Sequence, residues 1–314
     1  ASPAHLREIA VALSKAYAKT NVALYSIGIP EQDFAEGTLV VQIVEGWVAA
    51  ATLEGADKGK YERARHHLDR LIGEKPLSRS RFERQISLMR DIPGFKLKSI
   101  DSAAGEDGAV ALSVVPSQKR HEVSFAFNNR GTRSLGRGQF EATGKAYGAI
   151  VDGDQLSVTG AAASDFKRYF YGGAAYSMPL GYDGLSFGLS GGYLETRPKG
   201  SSVRGTAKVA GVSLSYPLIR AFDENLYVTY AIDGLNSDNA AFGNVIASER
   251  TRAMRASLRY AKVKPRRSVS GGFSLSKGLD FAGARADPLQ AELSFLKLNA
   301  DGSVSQALGK RFFV

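Results

Sequence analysis

Apolar and polar positions follow two rhythms along this chain, and the change comes near residue 117. In residues 5–116 helices and strands are mixed. Leu6, Ile9, Ala10, Leu13 and Tyr17 keep the i, i+3, i+4, i+7 spacing of one helical face. Short strands are predicted at 23–27, 38–45 and 47–54. Ala64, Leu68, Leu71 and Ile72 form a second helical stripe, closed by Gly73 and Pro76. Ser80-Arg-Phe-Glu83 has the form of a capping box. It predicts a third helix with Phe82, Ile86 and Met89 on its buried face, stopped by Pro93 and Gly94. Strands at 95–102 and 109–115 follow, joined by an acidic turn at 105–108. Residues 47–116 thus run strand–helix–helix–strand–strand, and residues 1–46 look like the tail of an earlier copy.

Beyond Ser117 the helical period disappears. About ten segments of roughly 8–12 residues alternate in polarity between Gly, Asp, Asn and Pro turns. Leu185, Phe187, Leu189, Gly191 and Tyr193 share one parity, with Ser186, Gly188, Ser190 and Gly192 on the other. Met254, Ala256, Leu258 and Tyr260 alternate with Arg255, Ser257 and Arg259. A soluble β-sandwich would also alternate, but an opposite face rich in Gly and Ser, with charges in mid-strand, resembles a transmembrane β-barrel. Tyr147, Tyr169, Tyr171, Tyr176, Tyr193, Tyr216 and Tyr227 are candidates for interfacial girdles.

Composition narrows the function classes. With no Cys among 314 residues, disulfide staples and Cys-ligated metals are excluded. The formal charge of +10 is one-sided. Residues 1–117 hold 15 basic and 15 acidic side chains, and residues 118–314 hold 26 and 16. The later arginines alternate with apolar residues and do not cluster on a helix, which argues against nucleic acid and for a positively lined channel, a solvated basic surface being the alternative. Four histidines are present, at 5, 66, 67 and 121, and no nucleotide loop, zinc motif or paired carboxylate spacing accompanies them. His66 and His67 are expected as a partly exposed helical pair. No enzyme and no cofactor is indicated.

The ordered motifs resemble the ShlB/FhaC/HecB family of two-partner secretion transporters. Gly73-Glu-Lys-Pro-Leu77, Phe82-Glu-Arg84 and Asp91-Ile-Pro-Gly94 are similar to the second POTRA (polypeptide-transport-associated) domain of that family. Gly28-Ile-Pro-Glu-Gln32, Gly37-Thr-Leu39 and Glu45-Gly46 resemble the end of the first. Asn128-Asn-Arg-Gly-Thr-Arg133 with Gly136, Gly153-Asp154, Tyr176-Ser-Met-Pro-Leu-Gly181 and Tyr216-Pro-Leu-Ile-Arg220 continue into the barrel in family order.

The resemblance implies an α+β POTRA module of βααββ order followed by an antiparallel transmembrane β-barrel, incomplete at about ten strands of an expected 16. Its implied divisions are a partial first POTRA domain at 1–46, a second at 47–117 and the first part of the barrel at 118–314. The plug helix, linker and Val-Arg-Gly-Tyr/Phe lid motif of the family are not found, so the chain is expected to be an internal fragment; Val203-Arg-Gly205 falls too early to be that motif. The location implied is the bacterial outer membrane, with POTRA domains in the periplasm. The partners implied are outer-membrane lipid and a large secreted protein such as an adhesin, haemolysin or haem-binding protein, without nucleic acid. A barrel-assembly insertase and a passive diffusion porin are the alternatives.

Two candidate sites follow. An exposed sheet edge could capture an unfolded partner by strand addition. The strand of Lys96, Leu97, Lys98, Ser99 and Ile100, beside Phe82, Ile86 and Met89, is the expected edge and groove, the alternative for those three being core. Arg255, Arg259 and Arg252 are the expected pore-lining residues, alternatively tied up in salt bridges to Glu249, Asp233 or Glu141.

Overall fold

The structure, a computed structural model, describes residues 3–32, 38–55, 61–286, 292–309 and 312–313. Gly37, one of the motif glycines, lies outside them. The chain divides into two compact units, 1–118 and 119–314.

In the first unit, α1 (Pro3–Tyr17) leads to an antiparallel pair, β1 (Tyr25–Gly28) with β2 (Gln42–Glu45). The strand expected from residue 38 is confined to its last four residues. The reason is local: the Gln32 side-chain amide both accepts from the Val40 N–H and donates to its C=O, at 2.7 and 2.8 Å. A side chain thereby takes the bonds a neighbouring strand would have made.

β3 (Trp47–Leu53), α2 (Glu62–Asp69), α3 (Arg79–Arg90), β4 (Phe95–Ala104) and β5 (Ala109–Gln118) complete the unit. The sheet order is β3-β5-β4, with β3 parallel and β4 antiparallel to β5. Parallel pairing requires a long crossover, and the two helices supply part of it. Their apolar stripes meet the sheet in one core built from Val48, Leu68, Leu71, Leu77, Ile86, Met89, Phe95, Leu112 and Val114. Each large aliphatic side chain so buried contributes about 1.5–3 kcal/mol.

Two local expectations are corrected here. The third helix begins at Arg79 with Ser78 in the cap position, so Ser80 lies inside the first turn and forms no capping box. Its N–H is satisfied instead by the side-chain oxygen of Asn21, 3.1 Å away, on a segment far off in sequence. His67 is not a surface residue. It falls three positions after Ala64 on the buried stripe, is 4% exposed, and bonds Gln85 Oε1 through Nδ1 at 2.8 Å.

The second unit is a strand meander: β6 (His121–Asn128), β7 (Gln139–Tyr147), β8 (Gln155–Ala163), β9 (Tyr169–Pro179), β10 (Ser186–Thr196), β11 (Val203–Arg220), β12 (Glu224–Ala241), β13 (Asn244–Lys264), β14 (Arg267–Gly278), β15 (Leu296–Leu308) and the two-residue β16 (Phe312–Phe313). Every strand pairs antiparallel with the next, giving one sheet ordered β6 to β16 without a crossover. Val203, Arg204 and Gly205 are simply the first residues of β11. β7 to β10 are 9–11 residues long, the length that crosses a bilayer when tilted.

Candidate functional site: a polar strand face and an open sheet edge

Register turns the alternation of single strands into two continuous faces. One carries Phe125, Val158, Ala174, Leu189, Val212, Ile232, Met254, Phe273 and Leu298, with direct pairs Leu189–Val212, Val212–Ile232 and Ile232–Met254. Its side chains are exposed, Phe125 to 81%. A bilayer covers such a face where water would penalise it.

The opposite face carries Thr143, Thr159, Gly173, Ser190, Gly211, Ser213, Thr229, Ser257, Ser274 and Ser303. Small hydroxyls link neighbouring strands across it: Thr143 to Thr159 at 3.0 Å, Thr229 to Ser215 at 3.0 Å and Ser270 to Ser303 at 2.8 Å. Donors and acceptors therefore satisfy one another along the wall.

Two arginines on this face are matched by carboxylates. Arg255 lies directly opposite Ala231, so it reaches diagonally to Asp233, with Nε–Oδ2 2.6 Å and Nη2–Oδ1 3.1 Å, and donates a third bond to Ser276 Oγ at 3.1 Å. Arg259 crosses to Asp301 at 3.3 Å. Of the carboxylates expected to pair with the arginines, Asp233 does so with Arg255; Asp301 emerges only from the pairing of β14 with β15.

Arg252 does not share this face. It precedes Arg255 by three positions on a strand whose pairing runs unbroken from 251 to 262, so alternation turns it to the apolar side, opposite Gly234. The expectation of three arginines on one wall is corrected accordingly. The tyrosines divide in the same way. Tyr176, Tyr193 and Tyr216 stand on the apolar face, whereas Tyr147, Tyr169, Tyr171 and Tyr227 fall on the polar one. Tyr171 lies there against Gly173 and Gly192, where an added Cβ would come within 2.4 and 3.3 Å of its ring or hydroxyl. Phenylalanines supply aromatics at one rim of the apolar face: Phe127 packs on Phe140 at 4.9 Å, and Phe140 stacks on Phe166 at 6.0 Å.

At the other rim Asp154 holds the turn between β7 and β8. Fully buried, it accepts the N–H groups of Ala149, Ile150 and Val151 at 2.8–2.9 Å and the Tyr176 hydroxyl at 3.0 Å. Burial opposes its charge, but these donors outweigh burial and keep its pKa below the usual carboxylate value.

In the first unit β4 is an outer strand of its sheet. Lys96 and Lys98 are exposed, Leu97, Ser99 and Ile100 half-buried, and the register slips between Leu97 and Ser99. The groove expected beside it is smaller than the sequence suggested. Ile86 and Met89 are completely buried and belong to the core, as the third helix turns them under the sheet; Phe82 is half-buried at its margin.

The family model for the haemolysin secretion/activation protein ShlB/FhaC/HecB matches residues 108–312, nearly the whole second unit. The chain belongs to this family. Its strands are therefore those of an outer-membrane β-barrel protein with periplasmic POTRA domains, and the family is one of transporters. Among solved structures, CdiB from Escherichia coli is similar over all of this chain and 61% of its own, at 18% identity and a TM-score of 0.70. CdiB from Acinetobacter baumannii is similar over 87% of this chain and 53% of its own, at 14% identity and a TM-score of 0.55. BamA from Haemophilus ducreyi lacking POTRA domains 1–3 is similar over 99% of this chain and 66% of its own, at 13% identity and a TM-score of 0.51. At these identities the likeness is one of fold. This chain spans about three-fifths of the Escherichia coli protein's length. No curated protein matches it by sequence.

Proposed function

We propose that the complete protein exports a secreted partner protein across the outer membrane, its POTRA domains taking up the unfolded chain and its barrel conducting it. In this reading residues 1–46 are the end of a first POTRA domain, 47–117 the second and 118–314 the leading barrel strands. The observation that carries it is the polar strand face. Ser, Thr and Gly dominate it, and its charges at Arg255 and Arg259 are matched by Asp233 and Asp301. An extended polypeptide passing such a wall meets few apolar contacts to stick to and no uncompensated field from these two arginines.

Uptake is assigned to the outer edge of β4. Main-chain groups on an unpaired edge add a strand irrespective of its sequence, which suits an unfolded substrate. Lys96 and Lys98 flank that edge and favour segments carrying Asp or Glu. Ile86 and Met89 serve the fold and not the partner, leaving Phe82 and Ile100 for side-chain contact.

Leu97→Pro or Ser99→Pro in the complete protein tests this. The expected result is loss of binding to the unfolded exoprotein, with Trp47 fluorescence unchanged. Binding of wild-type strength in both variants removes the edge from the account.

The likeness to BamA favours one second reading, an insertase for other barrels. The family match over 108–312 supports secretion more directly. An insertase would restore assembly of unrelated outer-membrane barrels in cells depleted of their own; a secretion transporter would not.

A further inference from the structure

The apolar face ends along a defined line, and a basic notch sits on it. Reading along the apolar-face positions of β11 to β13, the row Val212–Ile232–Met254 is followed by Ala210–Gly234–Arg252 and then by Lys208–Asn236–Arg250. Apolar, small and basic rows thus succeed each other within four residues of strand, about 13 Å. The chain enters β6 from the periplasmic domains, and strict antiparallel order puts these rows at the opposite, outward-facing rim.

Because Ala210 and Gly234 have so little side chain, the middle row is a depression. It forms a cavity of about 360 Å³ lined by Leu189, Val212 and Ile232 below and by Lys208, Asn236 and Arg252 above. The Arg252 side chain lies across Gly234, where an added Cβ would stand 3.0 Å from its Cδ. Its guanidinium bonds only neutral acceptors among the described residues: the oxygens of Leu235, Thr251 and Ala282 and Asn236 Oδ1. Arg250 Nε is buried with no hydrogen-bond partner there. The acidic side chains on this side, Glu195 and Asp238, are one row further out; Glu195 is bonded by Arg197 and Arg204, and Asp238 by Ser248 Oγ. Asp233 also borders the cavity, but its carboxylate is bonded to Arg255.

We infer that this notch binds a phosphorylated glycolipid of the outer leaflet, its phosphate between Lys208 and Arg252 and an acyl chain along Leu189, Val212 and Ile232. Two observations choose this occupant. The basic pair continues directly from the lipid-covered face, so the ligand must have an apolar tail. Lys208 and Arg252 make no ion pair among the described residues, so the head must be anionic. The assignment rests on the outer-membrane family and is independent of the secretion reading.

The test uses the complete protein in nanodiscs containing bis-phosphorylated lipid A, with native mass spectrometry after delipidation. Wild type is expected to retain one lipid A, and Arg252→Gln and Lys208→Gln each to lower its occupancy about tenfold, the effect of losing one charge-assisted contact. Lys208 is exposed and has no side-chain bond among the described residues, so that variant folds normally and keeps the test decisive. Lipid A lacking its phosphates is expected to be lost from wild type and variants alike. Equal retention of the dephosphorylated lipid, or wild-type occupancy in both variants, overturns the proposal. So does displacement by millimolar inorganic phosphate, which would assign the site to a free anion.

Discussion

Arg259 on β13 and Asp301 on β15 are not on neighbouring strands, yet their charged atoms stand 3.3 Å apart. The strand between them offers Gly272 at the crossing point, in register with both. A Cβ there would lie 2.6 Å from Asp301 Oδ1 and 2.9 Å from Arg259 Nη1. The glycine is thus the window through which two polar-face charges meet.

Both partners are more than half exposed, so the pair adds little to stability. In the proposed pore its effect would lie in the field along the lumen. In planar bilayers, Asp301→Asn in the complete protein is expected to shift reversal potentials toward anions, Arg259→Ser toward cations, and Gly272→Val to act like a weakened pair. Three unchanged reversal potentials would show that neither charge reaches the ion path.

Arg255 and Asp233 form the better-shaped pair, with two parallel bonds and a third from Arg255 to Ser276. Both ends are part-exposed. A double-mutant cycle with Arg255→Ala and Asp233→Ala, followed by urea unfolding in lipid, is expected to return a coupling of about 0.5–1 kcal/mol. Additive effects of the two single changes would contradict the pairing.

Asp154 bears on the acid side of the stability curve. Its pKa is lower folded than unfolded, so its contribution is complete above the unfolded value near ~3.9 and fades as pH falls through the lower folded value. Asp154→Ala leaves three turn amides without an acceptor and is expected to cost about 1–3 kcal/mol. Asp154→Asn should also flatten the acid limb of the pH–stability curve; an unaltered limb would mean that the turn is held by other groups.

His67 has the opposite dependence on protons. Burial lowers its pKa, and the bond to Gln85 offsets only part of that. The unfolded chain therefore binds a proton first, and the first unit loses stability as pH drops below about 6.5, until the folded value is passed. Trp47 is the chain's one tryptophan and lies under the Lys75 ammonium, 3.4 Å from the ring centroid, so its fluorescence reports on this unit alone. His67→Gln should reduce the loss of stability just below pH 6.5. A midpoint that rises on acidification would contradict the assignment.

The two-faced strands were legible because alternation depends only on neighbours in sequence: Met254, Ala256 and Leu258 against Arg255, Ser257 and Arg259. The same rule, counted through, also separates Arg252 from Arg255, and it sorts the tyrosines into lipid-side and lumen-side sets. Weighing residue type before parity is what groups Arg252 with Arg255 and Arg259. Other features could not be read from one strand. The Asn21 cap on the third helix and the Gln32 clasp on Val40 depend on tertiary approach. The meeting of Arg259 with Asp301 requires the register of three strands. For Ile86 and Met89, helical periodicity gave the buried face, and only the packed sheet distinguishes core from groove.

Ser257 and Leu258 are adjacent residues on opposite faces, and in the proposed function only the polar face meets a secreted chain in transit. The chain has no native Cys, so single cysteines there form a clean pair of probes. In the complete protein, with an exoprotein arrested in transit and carrying its own cysteines, oxidation is expected to crosslink Ser257→Cys and to leave Leu258→Cys unlinked. Crosslinking at Leu258→Cys alone, or at neither position while export continues, would contradict the account.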